Sequence, residues 1–158
     1  MAEAIEGKAL PTLSLTATEV GQVDLPRDLL GHYTLIYFYP KDDTPGCTKQ
    51  ACAYRDDSQK FRELGVRLYG VSLDDLTSHE AFAGKFSLNF PLLSDPEHKL
   101  ADFFGVFGER EWKGKKFFGL SRDTFLVDPE GRVARAFRGV DPTTTAQETY
   151  EVVQQLAR

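Results

Sequence analysis

Two cysteines, Cys47 and Cys52, are the only ones in the 158-residue chain, and they lie five positions apart in the segment TPGCTKQAC, residues 44–52. A thiol can act as a nucleophile, form a disulfide or bind a metal, and the deprotonated sulfur is the reactive form. The five-residue spacing differs from the C-x-x-C of dithiol–disulfide reductases. The three histidines are widely separated, and none accompanies the cysteines. A zinc site is therefore disfavoured, and redox chemistry of the thiols is the leading interpretation.

The start of this segment has the composition of a helix N-terminus. Thr44 is a favoured N-cap, Pro45 suits the first helical position, and Gly46 lets the backbone come close to a bound group. Cys47 then takes the third helical position. The preceding apolar run, 34–39, predicts a strand buried on both faces, so the segment follows the carboxyl end of a strand. In open parallel sheets, ligands bind at that edge.

The predicted position of Cys47 suggests how its sulfur is activated. A thiolate there faces unsatisfied backbone N–H groups and the positive end of the helix dipole, and both stabilise negative charge. The alternative is that Cys47 is a small buried apolar residue near the start of a helix. The Thr-Pro-Gly lead-in and the second cysteine favour the reactive thiol. We therefore expect Cys47 to be a nucleophile.

Cys52 is placed by the geometry of the same helix. Five residues along an α-helix correspond to a rise of about 7.5 Å and a rotation of about 140°, which puts the two Cα atoms about 8–9 Å apart on different faces. A disulfide needs Cα atoms within about 6.8 Å of each other. A Cys47–Cys52 bridge would require the first turns of the helix to unwind, which fits a transient catalytic bond better than a structural one. The spacing alone leaves open that Cys52 is an ordinary helix residue.

The rest of the chain predicts the framework that positions this segment. Apolar runs, alternation and turn residues predict strands at 13–18, 23–25, 34–39, 66–72, 90–93, 124–128 and 132–137. Caps and glycine stops predict helices at 45–64, 76–86, 97–104 and 144–156. Parallel strands with helical crossovers, followed by an antiparallel hairpin and a last helix, predict an α/β protein with a thioredoxin-like fold. We expect a central mixed β-sheet flanked by helices, with an N-terminal β-hairpin extension.

Composition limits the class of protein. A mass of 17.7 kDa with 41% hydrophobic residues suits one buried core, so we expect a single domain over 1–158. The net charge of −5 offers no basic surface for nucleic acid and disfavours an anionic membrane surface. The longest apolar run, 33–39, is far shorter than the ~20 residues that cross a bilayer, and the N-terminus lacks a secretory signal pattern. We expect a cytoplasmic protein, in which a disulfide is usually transient and catalytic or redox-sensing.

The segment YPKDDTPGCTKQAC, residues 39–52, strongly resembles the active-site region of the Q-type peroxiredoxins, also called bacterioferritin comigratory proteins. These are thiol peroxidases with a P-x-x-x-T-x-x-C motif, matched here by Pro40, Thr44 and Cys47. In the subgroup with a resolving cysteine on the same helix, that cysteine follows five residues later, as Cys52 does. The resemblance continues through YGVSLDD, FPLLSD, FFGVFGE and SRDTFLVDPEG, at 69–75, 90–95, 103–109 and 121–131.

The resemblance implies a catalytic cycle and roles for five residues. The Cys47 thiolate would reduce H2O2 or an alkyl hydroperoxide and become a sulfenic acid, which Cys52 would resolve as an intramolecular disulfide. Arg122 matches the arginine that favours the thiolate and hydrogen-bonds the peroxide oxygens. Thr44 would hold the peroxide against the sulfur, and Pro40 would shield the thiolate from water.

The resemblance also implies the partners of the protein. Thioredoxin, or glutaredoxin as in some members, would reduce the disulfide by thiol–disulfide exchange. No metal or organic cofactor, no nucleic acid and no membrane is expected to take part. Most relatives of this type are monomers, so a monomer is expected here.

Two other interpretations stay open. A Cys–His hydrolase would need a histidine to approach in space, but we expect His32 in a turn and His79 and His98 on exposed helical surfaces. A non-enzymatic redox sensor or chaperone would use a Cys47–Cys52 disulfide to switch a binding surface. The candidate surface is an aromatic stretch that we expect to be mainly core plus a loop flanking the site, and it comprises Phe103, Phe104, Phe107, Trp112, Phe117 and Phe118.

Overall fold

The computed structural model describes residues 4–157 and, within that range, every side chain except that of Trp112. The strands are β1 (Leu13–Ala17), β2 (Gly21–Leu25), β3 (Thr34–Phe38), β4 (Arg67–Ser72), β5 (Leu92–Ser94), β6 (Phe107–Trp112), β7 (Lys115–Leu120), β8 (Thr124–Val127) and β9 (Val133–Phe137). The helices are α1 (Pro45–Glu63), α2 (Leu76–Phe86), α3 (Lys99–Phe104) and α4 (Thr145–Leu156), with a 3-10 turn at Arg27–Leu29.

Seven strands form one mixed sheet in the order β2-β1-β5-β4-β3-β8-β9. Near its centre, β3 pairs in parallel with β4 and antiparallel with β8, and β4 pairs in parallel with β5. All five residues of β3 are buried, as the unbroken apolar run predicts for a strand covered on both faces. This is the thioredoxin-like arrangement expected from the sequence.

The two faces of the sheet carry separate apolar cores. Alternate residues of β3 divide between them, with Leu35 and Tyr37 in one core and Ile36 and Phe38 in the other. The first core takes residues from α1, α2 and α4, and the second takes residues from α3 and the N-terminal hairpin. Since each large buried side chain contributes about 1.5–3 kcal/mol, this packing fixes α1 on the sheet.

Helix α1 carries both cysteines and closely matches its prediction. It begins at Pro45, directly after Thr44, and ends at Glu63. Gly65 has a φ of +72°, the left-handed conformation that ends many helices. Helix α2 has the predicted bounds as well, whereas α3 begins two residues later than predicted.

β1 and β2 form the predicted N-terminal hairpin. β1 also pairs with β5 through Ala17 and Leu93, so the hairpin extends one edge of the sheet. Over residues 4–157, no helix has the length and apolar character that a bilayer crossing requires.

The loop expected beside the site is a β-hairpin, which corrects the prediction. β6 and β7 pair antiparallel along their whole length and form a separate two-stranded sheet. Lys113 and Gly114 have φ values of 50° and 78°, as a two-residue hairpin turn requires. The hairpin was missed because β6 is rich in charged residues and has no β-branched residue, so its propensity signal is weak.

The aromatic residues of this stretch divide between the core and the surface. Phe104 is buried, Phe103 and Phe107 are half-buried, and Phe117 and Phe118 are exposed. The expectation for the Trp112 side chain lies outside the described residues. The stretch is therefore part core, as expected, and part exposed hairpin.

The expectation of an exposed helical position is wrong for His79 and holds only in part for His98, whose side chain is 37% exposed. His79 is fully buried rather than exposed, because it lies on the face of α2 that also buries Phe82, three residues later. His98 lies just before α3, where its ring stacks on that of Phe107 with the centroids 3.8 Å apart. His32 lies in a bend, as expected.

Candidate active site

Cys47 occupies the third position of α1, as predicted, and its side chain is 1% exposed. β3 leads into the loop before this helix, so the thiol follows the carboxyl end of a central strand. The first turn of α1 contains no acidic residue. A negative charge on the sulfur would therefore meet the free N–H groups and the helix dipole without a competing carboxylate in that turn.

Arg122 reaches this thiol from the segment between β7 and β8. Its Nη2 donates to Sγ of Cys47 at 3.4 Å, and its backbone carbonyl accepts from the Val140 amide at 3.0 Å. A guanidinium at hydrogen-bond distance stabilises the charged form of the sulfur. Its remaining N–H groups can donate to an oxygen bound beside the sulfur.

Gly46 makes room for this contact. A Cβ atom at this position would lie 3.1 Å from Nη2 of Arg122 and 3.8 Å from Cγ of Pro142. The sequence predicted that this glycine lets the backbone come close to a bound group, which stays a prediction. The group that comes close is the arginine side chain, so the glycine helps to determine how near the cation lies to the thiol.

Gln50 is a site residue that the sequence reasoning missed. Its Oε1 accepts from Nη1 of Arg122 at 2.8 Å, and its side chain is fully buried. Its Nε2 has no hydrogen-bond partner among the described residues. Gln50 lies three residues after Cys47 on the same helical face, and this spacing is the signal that could have identified it.

Thr44 and Pro40 lie in or beside the loop before α1. Thr44 is the residue before the helix, as predicted, but its side chain makes no capping bond. Instead its Oγ1 donates to the carbonyl of Lys41 at 2.9 Å, which leaves the oxygen lone pairs available as acceptors. Pro40 follows Tyr39, and its side chain is exposed.

Cys52 lies one and a half turns further along α1 and is half-buried. Both thiols are free, and the helix is continuous through the two cysteines. The geometry of a regular helix therefore keeps the two sulfurs too far apart for a bond in this conformation.

Tyr37 brings a second polar group close to the thiol from β3. Burial, followed by the neighbouring Tyr54 and Cys47, raises the pKa of the Tyr37 hydroxyl well above its usual value, so the hydroxyl stays protonated. Within residues 4–157 this hydroxyl has no hydrogen-bond partner. The ring fits only because residue 70 is glycine, since a Cβ there would lie 2.9 Å from the phenol oxygen.

Asp42, Asp74 and His79 form a polar cluster behind the loop, and their side-chain ligand atoms lie within 4.8 Å of one another. Such a set can in principle hold a metal ion. However, hydrogen bonds within the protein already use these atoms: His79 contacts Asp42 at 2.7 Å, and Asp74 accepts from the Asp42 amide at 2.8 Å. These contacts form a hydrogen-bond network, which the sequence analysis did not predict.

Comparison with known proteins identifies the family. The model of the AhpC/TSA family matches residues 6–136. Peroxiredoxin Bcp of Bacillus subtilis is 40% identical over 151 residues, which cover 96% of each chain. The chain belongs to the peroxiredoxin family. It is accordingly a peroxidase of the oxidoreductase class, as the resemblance of residues 39–52 indicated.

Solved peroxiredoxin structures share the fold over nearly the whole chain. The bacterioferritin comigratory protein of Xanthomonas campestris, described for its alkyl peroxide reduction activity, is 35% identical with a TM-score of 0.87, over 96% of this chain and 100% of that one. A mutant of PrxQ from Xylella fastidiosa is 28% identical with a TM-score of 0.92, over the full length of both. The thioredoxin-like fold of this peroxiredoxin is therefore that of the Q-type relatives.

Proposed function

We propose that this peroxiredoxin reduces H2O2 and organic hydroperoxides through Cys47 as the peroxidatic nucleophile. The single observation that carries the proposal is the hydrogen bond of 3.4 Å from Nη2 of Arg122 to the sulfur of this buried residue at a helix N-terminus. The cation, the helix dipole and the free amides all favour the thiolate, which is the reactive form.

In the first step the thiolate of Cys47 attacks the terminal oxygen of the hydroperoxide. The S–O bond forms as the O–O bond breaks, so the sulfur is oxidised to a sulfenic acid, and the leaving alkoxide or hydroxide takes a proton to become an alcohol or water. Arg122 stabilises the negative charge that moves onto the oxygens. The lone pairs of Thr44 accept the hydroperoxide hydrogen. Pro40, which has no N–H, limits hydration of the thiolate.

In the second step Cys52 resolves the sulfenic acid. Its sulfur attacks that of Cys47, a disulfide forms and water leaves. Since the intact α1 holds the two residues apart, the first turns of the helix must unwind before the bond can form. Rapid unwinding also protects Cys47 from further oxidation to the sulfinic acid. A more stable start of α1 would therefore slow disulfide formation and leave Cys47 less protected from the sulfinic acid.

A dithiol protein completes the cycle. Thioredoxin, or glutaredoxin, attacks the Cys47–Cys52 disulfide, leaves with its own cysteines oxidised and returns both thiols of this protein. The proposal places this cycle in the cytoplasm, where such reductants keep thiols reduced. It needs one domain, residues 1–158, working as a monomer without a metal or organic cofactor.

Organic hydroperoxides are included because of the Xanthomonas relative, whose alkyl peroxide reduction activity is the basis of its description. The exposed aromatic residues Phe117 and Phe118 add an apolar surface on the hairpin that ends next to Arg122. Rates with H2O2 and with an alkyl hydroperoxide, measured side by side, test this part of the proposal.

The alternative is a redox sensor or chaperone in which the same disulfide only switches a surface. Turnover distinguishes the two. With thioredoxin, thioredoxin reductase and NADPH, an enzyme consumes many equivalents of peroxide per protein, whereas a switch stops after one. Sustained NADPH oxidation supports the proposal, and a stop after a single equivalent contradicts it.

A further inference from the structure

The loop between β3 and α1 is held by a buried pair of side chains, Asp42 and His79. Nδ1 of His79 lies 2.7 Å from Oδ2 of Asp42, and the two side chains are 0% and 4% exposed. Tyr39 donates its hydroxyl to Oδ1 at 2.6 Å, and Ser78 donates to Oδ2 at 2.8 Å. The carboxylate therefore receives donors on both of its oxygens.

His79 makes a hydrogen bond through each of its two ring nitrogens. Nε2 is 2.9 Å from the carbonyl of Leu93, and because a carbonyl only accepts, Nε2 carries a hydrogen. Nδ1 contacts Oδ2 of Asp42, so each ring nitrogen has a partner. Both nitrogens of this fully buried ring are therefore satisfied by hydrogen bonds, as a buried polar side chain requires.

Asp42 is also held through its main chain. Its amide donates to Oδ2 of Asp74 at 2.8 Å, and the same oxygen accepts from Ser72 at 2.6 Å. The next residue, Asp43, is exposed, and its contact with Lys85 is a surface ion pair, which holds a loop only weakly. Asp42 is therefore the fixed point of the loop.

We propose that His79 is a positioning residue for peroxide reduction, which through Asp42 holds the loop so that Thr44 and Cys47 face Arg122 together. This rests on the proposed function. Thr44 lies two residues after Asp42, and its hydroxyl donates to the carbonyl of the residue just before Asp42. A shift of the loop would therefore turn this hydroxyl and move the start of α1.

The Asp42–His79 pair also limits how far the unwinding of α1 can extend towards β3. Asp42 is bonded to α2 and to the segment after β4, neither of which contains a cysteine. The residues before Asp43 therefore stay in place while the first turns of α1 open. The same contacts guide the helix back to its starting position when the disulfide is reduced.

The test compares two rates of Cys47 in a Cys52→Ser background, which leaves one thiol. His79→Gln cannot reach both Asp42 and the carbonyl of Leu93, and Asp42→Asn keeps the shape of the side chain but replaces one acceptor oxygen, used by Tyr39 or by Ser78, with a donor. We expect the rate constant with H2O2 to fall about tenfold or more in each variant, because misplacing reacting groups by ~1 Å can cost 10²-fold. We expect alkylation by iodoacetamide to rise, since loosening the loop opens a buried thiol.

His98→Gln is the matched control. His98 contacts Asp102 at the same distance, 2.7 Å, but the two side chains are 37% and 55% exposed. This variant should leave both rates unchanged. If folded His79→Gln and Asp42→Asn react with H2O2 as fast as the Cys52→Ser parent, the proposal is overturned.

A measurement on the unmodified protein decides the case in which neither variant folds. Nitrogen-15 NMR should show the Nε2 hydrogen of His79, bonded to the carbonyl of Leu93, in the reduced protein and again after oxidation by H2O2. Loss of this signal on oxidation would overturn the proposal. If the parent protein does not react with H2O2 at all, the proposed function fails instead, and the alkylation rates still report whether the pair holds the loop.

Discussion

Arg122 and Cys47 are 75 positions apart in the chain, yet Nη2 of the arginine lies 3.4 Å from the sulfur. The same guanidinium donates to Gln50 at 2.8 Å, so it is held by the helix that carries the thiol. In the proposed mechanism, a cation held in this way stabilises the thiolate and presents N–H groups to an oxygen bound at the sulfur. This relationship leads to predictions about the cation, the space around it and the second thiol.

Removal of the guanidinium should slow the first chemical step. We expect Arg122→Ala to lower the rate constant of Cys47 with H2O2 by about 10²–10³, as does loss of one donor to a developing negative charge in other enzymes. Arg135→Ala, at an exposed position of β9, is the control and should react like wild type. Stopped-flow measurement of the rate constant, on variants that are folded to the same extent as wild type, checks this. A wild-type rate in Arg122→Ala would show that the arginine takes no part in the reaction.

Crowding the guanidinium should have a similar but smaller effect. We expect Gly46→Ala to lower the peroxide rate about tenfold because the new Cβ, 3.1 Å from Nη2 of Arg122, displaces the side chain. Gly84→Ala in α2 is the control. There a Cβ meets nothing within 4 Å, so the change should raise the free energy of unfolding by about 0.5–1 kcal/mol without altering the rate. Equal rates for the two variants would refute the steric argument.

We expect the hydroxyl of Tyr37 to lower the free energy of unfolding of the protein. Since it is buried without a partner in the described part of the chain, Tyr37→Phe should raise the free energy of unfolding by about 1 kcal/mol. Tyr54→Phe should lower it by about 1 kcal/mol, because that hydroxyl is 3.1 Å from Oγ1 of Thr149. Urea denaturation of both variants measures this. Destabilisation by Tyr37→Phe would mean that the hydroxyl has a partner.

The second thiol should be required for recycling but not for the first reduction. Cys52→Ser should consume the first equivalent of peroxide at the wild-type rate and then stall without turnover, because no sulfur remains to displace the sulfenic hydroxyl. The stalled sulfenic acid should go on to the sulfinic acid in excess peroxide. A coupled thioredoxin assay and mass analysis follow both events. Continued turnover in this variant would show that another group resolves the intermediate.

The local part of the site could be predicted because it depends on neighbouring residues. The Thr-Pro-Gly lead-in places Cys47 at the third position of α1, and the structure has the helix beginning at Pro45. The apolar run 34–39 predicted a buried central strand, again from residues that are adjacent in the chain. Where a preference is encoded by adjacent residues, pattern and structure agree.

The long-range part could not be predicted from local patterns. His79 was expected on an exposed surface because a polar residue on a short helix is usually solvated. Its burial depends on Asp42, 37 positions earlier, and on the carbonyl of Leu93. The bond between Gln50 and Arg122 likewise depends on how the segment before β8 crosses α1. Only the family resemblance, and no local pattern, pointed to Arg122.

Mass analysis under non-reducing conditions, after one equivalent of H2O2, tests the central claim most directly. The account predicts a monomer that has lost two hydrogens, with the bond mapped between Cys47 and Cys52, which an intact α1 keeps apart. A product that keeps a free Cys52 thiol and carries an added oxygen on Cys47, or a disulfide-linked dimer, would contradict it.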